Sequence, residues 1–298
     1  MRVDDICFRG LSFKMARDDL FAEAGGGNKA RKTREYKADI LAKGANAIVT
    51  TGGVQSNHCR AVALMCAKRG WKCRLVYHGS AERFYAEKGN ALIARMCGAQ
   101  TVFVKEDMIS SAMDSAMLDF SKDGLAPYYI RGGGHDICGG VAYVKAIGEL
   151  KENLAEAPDY IFHASGTGST QAGILVGLER FGWANTKVVG ISVARNAQRG
   201  ASVISEFSAS LAKYCGVRFD SSKIIFTDKY VCGGYEKYSP ELKEIAMDAA
   251  EKLGILFDTT YSGKALFGMY NYIAENRELM RGKKILFWHT GGIMNLMA

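Results

Sequence analysis

The chain has 298 residues, 48% hydrophobic and 23% charged, a globular composition with room for one large domain or two smaller ones. Its net charge of +8 arises from Lys and Arg interleaved with Asp and Glu; no basic block or nucleic-acid module appears, so nucleic acid is not an expected partner. No apolar run reaches the roughly 18 residues of a membrane helix, and Met1-Arg2-Val3-Asp4-Asp5 lacks the apolar core of a secretory signal, so the cytoplasm is the expected compartment.

In chain order, Gly25-Gly26-Gly27 leads into Asn28-Lys29-Ala30-Arg31-Lys32 and reads as a turn. An alternation of short apolar runs and helical stretches follows. Strands are expected at 47–50, 73–77, 101–104 and 128–130, with helices at 57–69, 82–96 and 108–120. After Gly132-Gly133-Gly134 come a helix at 138–152, a strand at 160–163, a helix at 170–180 and a strand at 188–192. Helices at 240–253 and 263–275, an apolar strand at 255–257 and a last strand at 284–288 complete the pattern. Short strands separated by helices predict an α/β fold with parallel sheets and right-handed crossovers. The expected division is a large domain, 1–35 with 141–298, and a small α/β domain, 36–140, with a ligand in the cleft between them at the carboxyl ends of the strands. Cys59, Cys66 and Cys73 read as small buried hydrophobes, and no metal site is expected.

Four segments carry chemistry. Lys29, beside glycines and an amide, can present its amine to a carbonyl, as Schiff-base formation requires; by itself it also reads as a solvated lysine near a turn. Ser165-Gly166-Thr167-Gly168-Ser169-Thr170 lies between a strand and a helix, where N–H groups, hydroxyls and the helix dipole suit a phosphate. It is neither Gly-x-Gly-x-x-Gly nor a Walker loop, and such turns are common. In Gln55-Ser56-Asn57-His58, Asn57 reads as an N-cap beside a satisfied histidine, or else Ser56 and Asn57 meet a ligand. Tyr261-Ser262-Gly263-Lys264 sits at another helix start, and Tyr235 follows Gly233-Gly234. Either tyrosine reads equally as a core aromatic with a wet tip.

Taken together and in order, Gly-Gly-Asn-Lys-x-Arg-Lys, Gly-Gly-x-Gln-Ser-Asn-His, Ser-Gly-Thr-Gly-Ser-Thr-Gln-Ala-Gly, Tyr-x-Gly-Lys and His-Thr-Gly-Gly (His289 to Gly292) resemble the D-cysteine desulfhydrase and 1-aminocyclopropane-1-carboxylate deaminase family. That family lies in the tryptophan-synthase-β-like (fold type II) group of pyridoxal-phosphate enzymes, and the likeness runs from about Ala16 to the C-terminus. The resemblance implies two open, twisted, mostly parallel sheets, a homodimer, pyridoxal 5'-phosphate as cofactor and a small amino acid as substrate. It makes Lys29 the lysine that carries the cofactor and Asn57 the amide on its phenolic oxygen. Lys32, Thr167, Gly168, Ser169 and Thr170 become the phosphate cradle. Ser56, Tyr235 and Tyr261 match hydroxyls around the substrate, with Asn57 and His58 beside it. Ser262 falls where the residue facing the pyridine nitrogen is expected.

Within this family the ring-opening deaminases resemble one another in a glutamate at the position of Ser262. A serine there is expected to leave the ring nitrogen largely neutral and a weaker electron sink, which favours β-elimination of a good leaving group. D-cysteine, giving pyruvate, ammonia and hydrogen sulfide, is the expected substrate. Alternatives are the cyclopropane deaminase, an L-cysteate sulfo-lyase and a non-catalytic small-molecule or phosphate-binding protein on the same scaffold. The chain starts closer to Lys29 than family members usually do. Arg131-Gly132-Gly133-Gly134-His135 departs from the family pattern and reads either as a site for a second anionic group or as loop decoration. Tyr235 is followed by Glu236-Lys237 rather than by a glycine.

Overall fold

A computed structural model describes residues 1–298. The elements are β1 (Val3–Phe8), β2 (Leu11–Arg17), α1 (Gly27–Ala42), β3 (Ala47–Gly53), α2 (Asn57–Arg69), β4 (Lys72–His78), α3 (Ala81–Ala86), α4 (Gly89–Met96), β5 (Gln100–Val104), α5 (Ile109–Lys122), β6 (Pro127–Tyr129), α6 (Ile137–Lys151), β7 (Tyr160–Ser165), α7 (Ser169–Arg180), β8 (Lys187–Ser192), α8 (Ala197–Cys215), β9 (Ile224–Thr227), α9 (Pro240–Leu253), α10 (Ser262–Glu275) and β10 (Ile285–His289). No helix is long and apolar enough to cross a membrane. Two compact units result: Met1–Phe21 with Gly140–Ile293, and Ala22–Gly139 with Met294–Ala298. The expected boundary near residue 36 falls inside α1. A continuous helix stays in one unit, so the whole of α1, Lys29 included, belongs to the unit of residues 22–139.

The first unit holds a six-stranded sheet in the order β1-β2-β10-β7-β8-β9. All neighbours are parallel except the β1–β2 hairpin. β7 and β10 are buried along their whole length, which is why they read as unbroken apolar runs. Their side chains alternate between two cores: Tyr160, Phe162, Ile285 and Phe287 on one face, Ile161, Leu286 and Trp288 on the other. The hairpin has no counterpart among the expected strands. Its turn is Arg9-Gly10, both at positive φ (46° and 76°), with Phe8 paired to Leu11. That is the two-residue geometry usually signalled by Asn-Gly, and an arginine in the first place hides it. α8 and β9 likewise fill a stretch in which the pattern marks no element.

The second unit has a four-stranded parallel sheet, β5-β4-β3-β6. Ile48, Cys73, Leu75 and Tyr77 face one core, together with Cys59 and Cys66, and Val49 and Val76 face the other. Burial pushes the Cys59 thiol up to about 12, so it packs as an inert hydrophobe.

Two expected elements differ. The helix at 82–96 is broken at Glu87-Lys88, and Gly89 has φ +56°. Gln55 closes the break: its Nε2 donates to the Lys88 carbonyl (3.0 Å) and its Oε1 accepts from Asn90 N (3.0 Å). Residues 255–257 form no strand. Phe257 instead stacks on the His289 ring at 4.5 Å. His289 Nδ1 accepts from Gly291 N, so its Nε2 donates to the Leu256 carbonyl at 2.9 Å. Side-chain stacking, rather than a backbone ladder, holds this apolar run.

Candidate active site

In the unit of residues 22–139, Lys29 lies in the first turn of α1, and its Nζ donates to the Gly133 carbonyl at 2.9 Å. Lys32, one turn on and buried, donates to the same carbonyl at 3.2 Å. The expectation of a solvated lysine near a turn is therefore replaced by a part-buried helical amine. Burial lowers the Lys29 pKa to about 8. Lys32 is driven well below its ordinary value by burial first and by the Lys29 charge second, with Asp136 pulling the other way. Asp136 is itself engaged by the Tyr36 hydroxyl at 2.5 Å. Two crowded amines with one nearby carboxylate make a donor set suited to an anionic group. From the 131–135 turn the lysines receive the Gly133 carbonyl; the Arg131 side chain is exposed.

α2 begins differently from expectation. Ser56, not Asn57, is the N-cap: its Oγ accepts from Cys59 N at 3.2 Å. Asn57 is thereby freed of capping. It is buried, and its Oδ1 has no hydrogen-bond partner. His58 is only half satisfied. Thr50 Oγ1 gives its proton to the Ile130 carbonyl (2.8 Å), so it accepts from His58 Nε2 at 2.9 Å. His58 Nδ1 is then a bare, unpartnered acceptor. Burial, with Lys29 and Lys32 nearby, holds this ring well below its ordinary pKa and hence neutral. Arg60 on α2 donates to the Gly25 and Gly26 carbonyls (2.9 and 3.3 Å), fixing the turn that launches α1.

In the first unit, α7 starts at Ser169 behind Gly168, whose φ is +93°. A Cβ on Gly168 would fall 2.9 Å from Ile204 Cγ1, so only glycine fits there. No side chain caps this helix start. Ser169 and Thr170 are buried in its first turn, and Thr167 Oγ1 lies 3.5 Å from Ser169 Oγ. The Ser165 hydroxyl at the end of β7 has no partner, and Arg195 donates to the Gly166 carbonyl at 2.9 Å. An uncapped helix start ringed by hydroxyls is a place for a phosphate.

The same unit brings Tyr235 and Tyr261 together, their hydroxyl oxygens 2.5 Å apart. Burial first, then Tyr235, raises the Tyr261 pKa well above the ordinary phenol value. Ser262 is buried and tied to Asp258: its Oγ donates to Oδ1 (2.7 Å) and accepts from the Asp258 N–H (3.2 Å). Its single proton is spent. Toward any third group Ser262 can only accept, which fits a ring nitrogen that carries a proton rather than a neutral one. The expectation of a neutral ring nitrogen rests on Ser262 carrying no charge, and the bond to Asp258 places a carboxylate behind that hydroxyl.

Asp258, Arg60 and Arg195 organise these segments, and none of the three lies in a motif. Asp258 carries a signal nonetheless: an aspartate shortly before a helix start is a capping residue.

Each unit therefore supplies parts that pyridoxal phosphate needs. One has an amine with a lowered pKa and an unpartnered buried amide; the other has an uncapped, hydroxyl-lined helix start. Asn57→Ala is expected to weaken cofactor affinity by about 10-fold with stability changed by less than ~0.5 kcal/mol, because its Oδ1 has no partner in the protein. Cofactor titration and thermal melts check this.

Comparison with known proteins agrees. The family model of pyridoxal-phosphate dependent enzymes matches residues 15–291. A Pyrococcus horikoshii protein named "Putative 1-aminocyclopropane-1-carboxylate deaminase" is 33% identical over 287 residues, covering 95% of this chain and 85% of its own. A crystal structure described as that of an ACC deaminase homologue superposes with a TM-score of 0.87 at 32% identity, over 97% of this chain and 86% of the other. The processed threonine deaminase isoform 2 of Solanum lycopersicum shares the fold, with a TM-score of 0.66 at 14% identity, over 95% of this chain and 79% of the other. The chain belongs to the pyridoxal-phosphate-dependent enzymes of fold type II.

Proposed function

We propose that this enzyme is a deaminating lyase of a small α-amino acid, with 1-aminocyclopropane-1-carboxylate as the leading substrate. The observation that carries the reading is the Tyr235–Tyr261 hydroxyl pair at 2.5 Å. Opening a cyclopropane ring, like expelling a thiol, needs a proton delivered to the departing atom, and two linked phenols can relay one. The name of the 33%-identical relative supports the cyclopropane substrate over D-cysteine, as does the spent proton of Ser262. D-cysteine stays as the second reading, since Ser262 itself carries no charge and a thiol leaves without a strong electron sink.

When bound, pyridoxal phosphate supplies an aldehyde that condenses with amines and a ring that takes up the electron pair released at the α-carbon. In this reading Lys29 would hold the cofactor, and its amine, once released, would move the proton at the α-carbon. Lys32, Thr167, Gly168, Ser169 and Thr170 bind the phosphate, and Asn57 the phenolic oxygen. Ser262, braced by Asp258, accepts from the ring nitrogen. Ser56 and the uncharged His58 border the substrate.

The test is a substrate screen with the loaded enzyme: the cyclopropane acid, D-cysteine, L-cysteine and L-cysteate, each assayed for keto acid. 2-Oxobutanoate from the cyclopropane acid, exceeding pyruvate from D-cysteine, is the expected result. The reverse order promotes β-elimination, and no keto acid from any of the four overturns the lyase reading.

A further inference from the structure

Lys264 belongs to none of the roles above, yet it is one of the largest fully buried side chains in the protein. Burying an ammonium is costly unless something compensates, and no carboxylate bonds it. Its Nζ donates to two backbone carbonyls, Gly234 at 2.5 Å and Val193 at 3.3 Å. Val193 directly follows β8; Gly234 directly precedes Tyr235. The segment around Tyr235 is hard to hold by itself. Cys232, Gly233, Gly234 and Glu236 all have positive φ (54°, 84°, 132° and 61°), two of them without being glycine. Such backbone persists only where its surroundings impose it.

We infer that Lys264 is a positioning residue: its ammonium pins the Gly234 carbonyl to the end of β8 and so holds the Tyr235 hydroxyl on that of Tyr261. The inference rests on the proposed role of the two tyrosines at the substrate. The same helix, α10, carries Lys264 in its first turn next to Ser262 and Tyr261, so one rigid element sets both phenols. Tyr261 is placed through the chain itself and Tyr235 through the lysine.

Lys264→Ala tests the idea, because propylammonium has the three carbons and the ammonium that the substitution removes. In the cofactor-free protein, hydrogen exchange of amides 231–237 should accelerate by about 10-fold and slow again with propylammonium, but not with tetramethylammonium at equal ionic strength. In the loaded enzyme kcat should fall by about 100-fold, the cost of misplacing a reacting group by about an ångström. Propylammonium should recover at least about a tenth of the original rate. In a Tyr235→Phe background the same change should cost less than about 3-fold, because the group it positions is gone. Should Lys264→Ala fail to fold, Lys264→Met keeps the stem and is read by exchange. Unchanged exchange at 231–237, or a full 100-fold loss in the Tyr235→Phe background, overturns the assignment. Exchange that responds as expected in a protein with no lyase activity sinks the proposed function and leaves the tether standing.

Discussion

Replacing Lys29 by alanine should abolish the absorbance at the edge of the visible range that a lysine-bound cofactor gives, and lower turnover by about 10³-fold or more, because the covalent anchor and a general base are lost together. The fold should survive. Lys29 bonds a single carbonyl, that of Gly133, so its loss strands no buried charge. The amine also has a pH signature. Burial lowers its pKa from 10.5 to about 8, and only the unprotonated form attacks an aldehyde. The rate of cofactor attachment to the empty protein should therefore rise as pH increases through about 8 and level off above it. At pH 7 roughly one amine in ten is reactive, against well under one in a thousand for an ordinary lysine. Stopped-flow mixing with pyridoxal phosphate across pH 6–10.5 measures this directly. A half-point near 10.5 would mean that the amine is not desolvated, and attachment that persists in Lys29→Ala would place the linkage on another lysine.

Asp258→Ala should be the most destabilising single change near the site, by about 3 kcal/mol or more. The carboxylate is fully buried and receives four hydrogen bonds: Thr260 N (3.1 Å) and Tyr261 N (2.9 Å) on Oδ2, Ser262 N (2.8 Å) and Ser262 Oγ (2.7 Å) on Oδ1. Three of these donors are backbone amides at the start of α10, which has no side-chain cap from Tyr261. Truncation would leave them all buried and unmet. Room for a larger group is absent too, because Gly292 already packs so closely that a Cβ there would come within 2.3 Å of Asp258 Oδ1. Asp258→Asn keeps one oxygen acceptor and should lose roughly half as much stability. Denaturant unfolding of the three proteins reads the series; a loss under ~1 kcal/mol for Asp258→Ala would show that water replaces the carboxylate. Because Tyr261 and Ser262 hang on these bonds, Asp258→Asn should also lower kcat while cofactor affinity falls less.

The fold class was legible because the central strands of both sheets are buried on two faces. β7 and β10 appear as apolar runs in any reading. The β1–β2 hairpin was not legible: its half-exposed strands alternate and its Arg9-Gly10 turn carries no usual signal. α1 was obscured by the three glycines that launch it, whose positive φ values resemble a turn until Arg60 is seen holding their carbonyls. At the site, local motif chemistry identified the glycine-rich helix start at Gly168. The assignment of the cap to Asn57 failed because Ser56 and Asn57 are equally good caps by type, and only the entry angle of α2 decides between them.

Residue types at short range determined by themselves what can be read from neighbours in the chain: the alternation of strands and helices, a glycine where φ must be positive, a lysine among small residues, five ordered motifs that mark the family. Tertiary structure alone decided everything that depends on partners distant in sequence. It set the Arg60 guanidinium on the carbonyls of Gly25 and Gly26, left His58 with one unpaired nitrogen, and set a buried ammonium at Lys264 under the Tyr235 loop. Protonation and orientation are properties of an environment, and burial, charge and hydrogen bonding at one atom are summed over segments that the linear order keeps far apart.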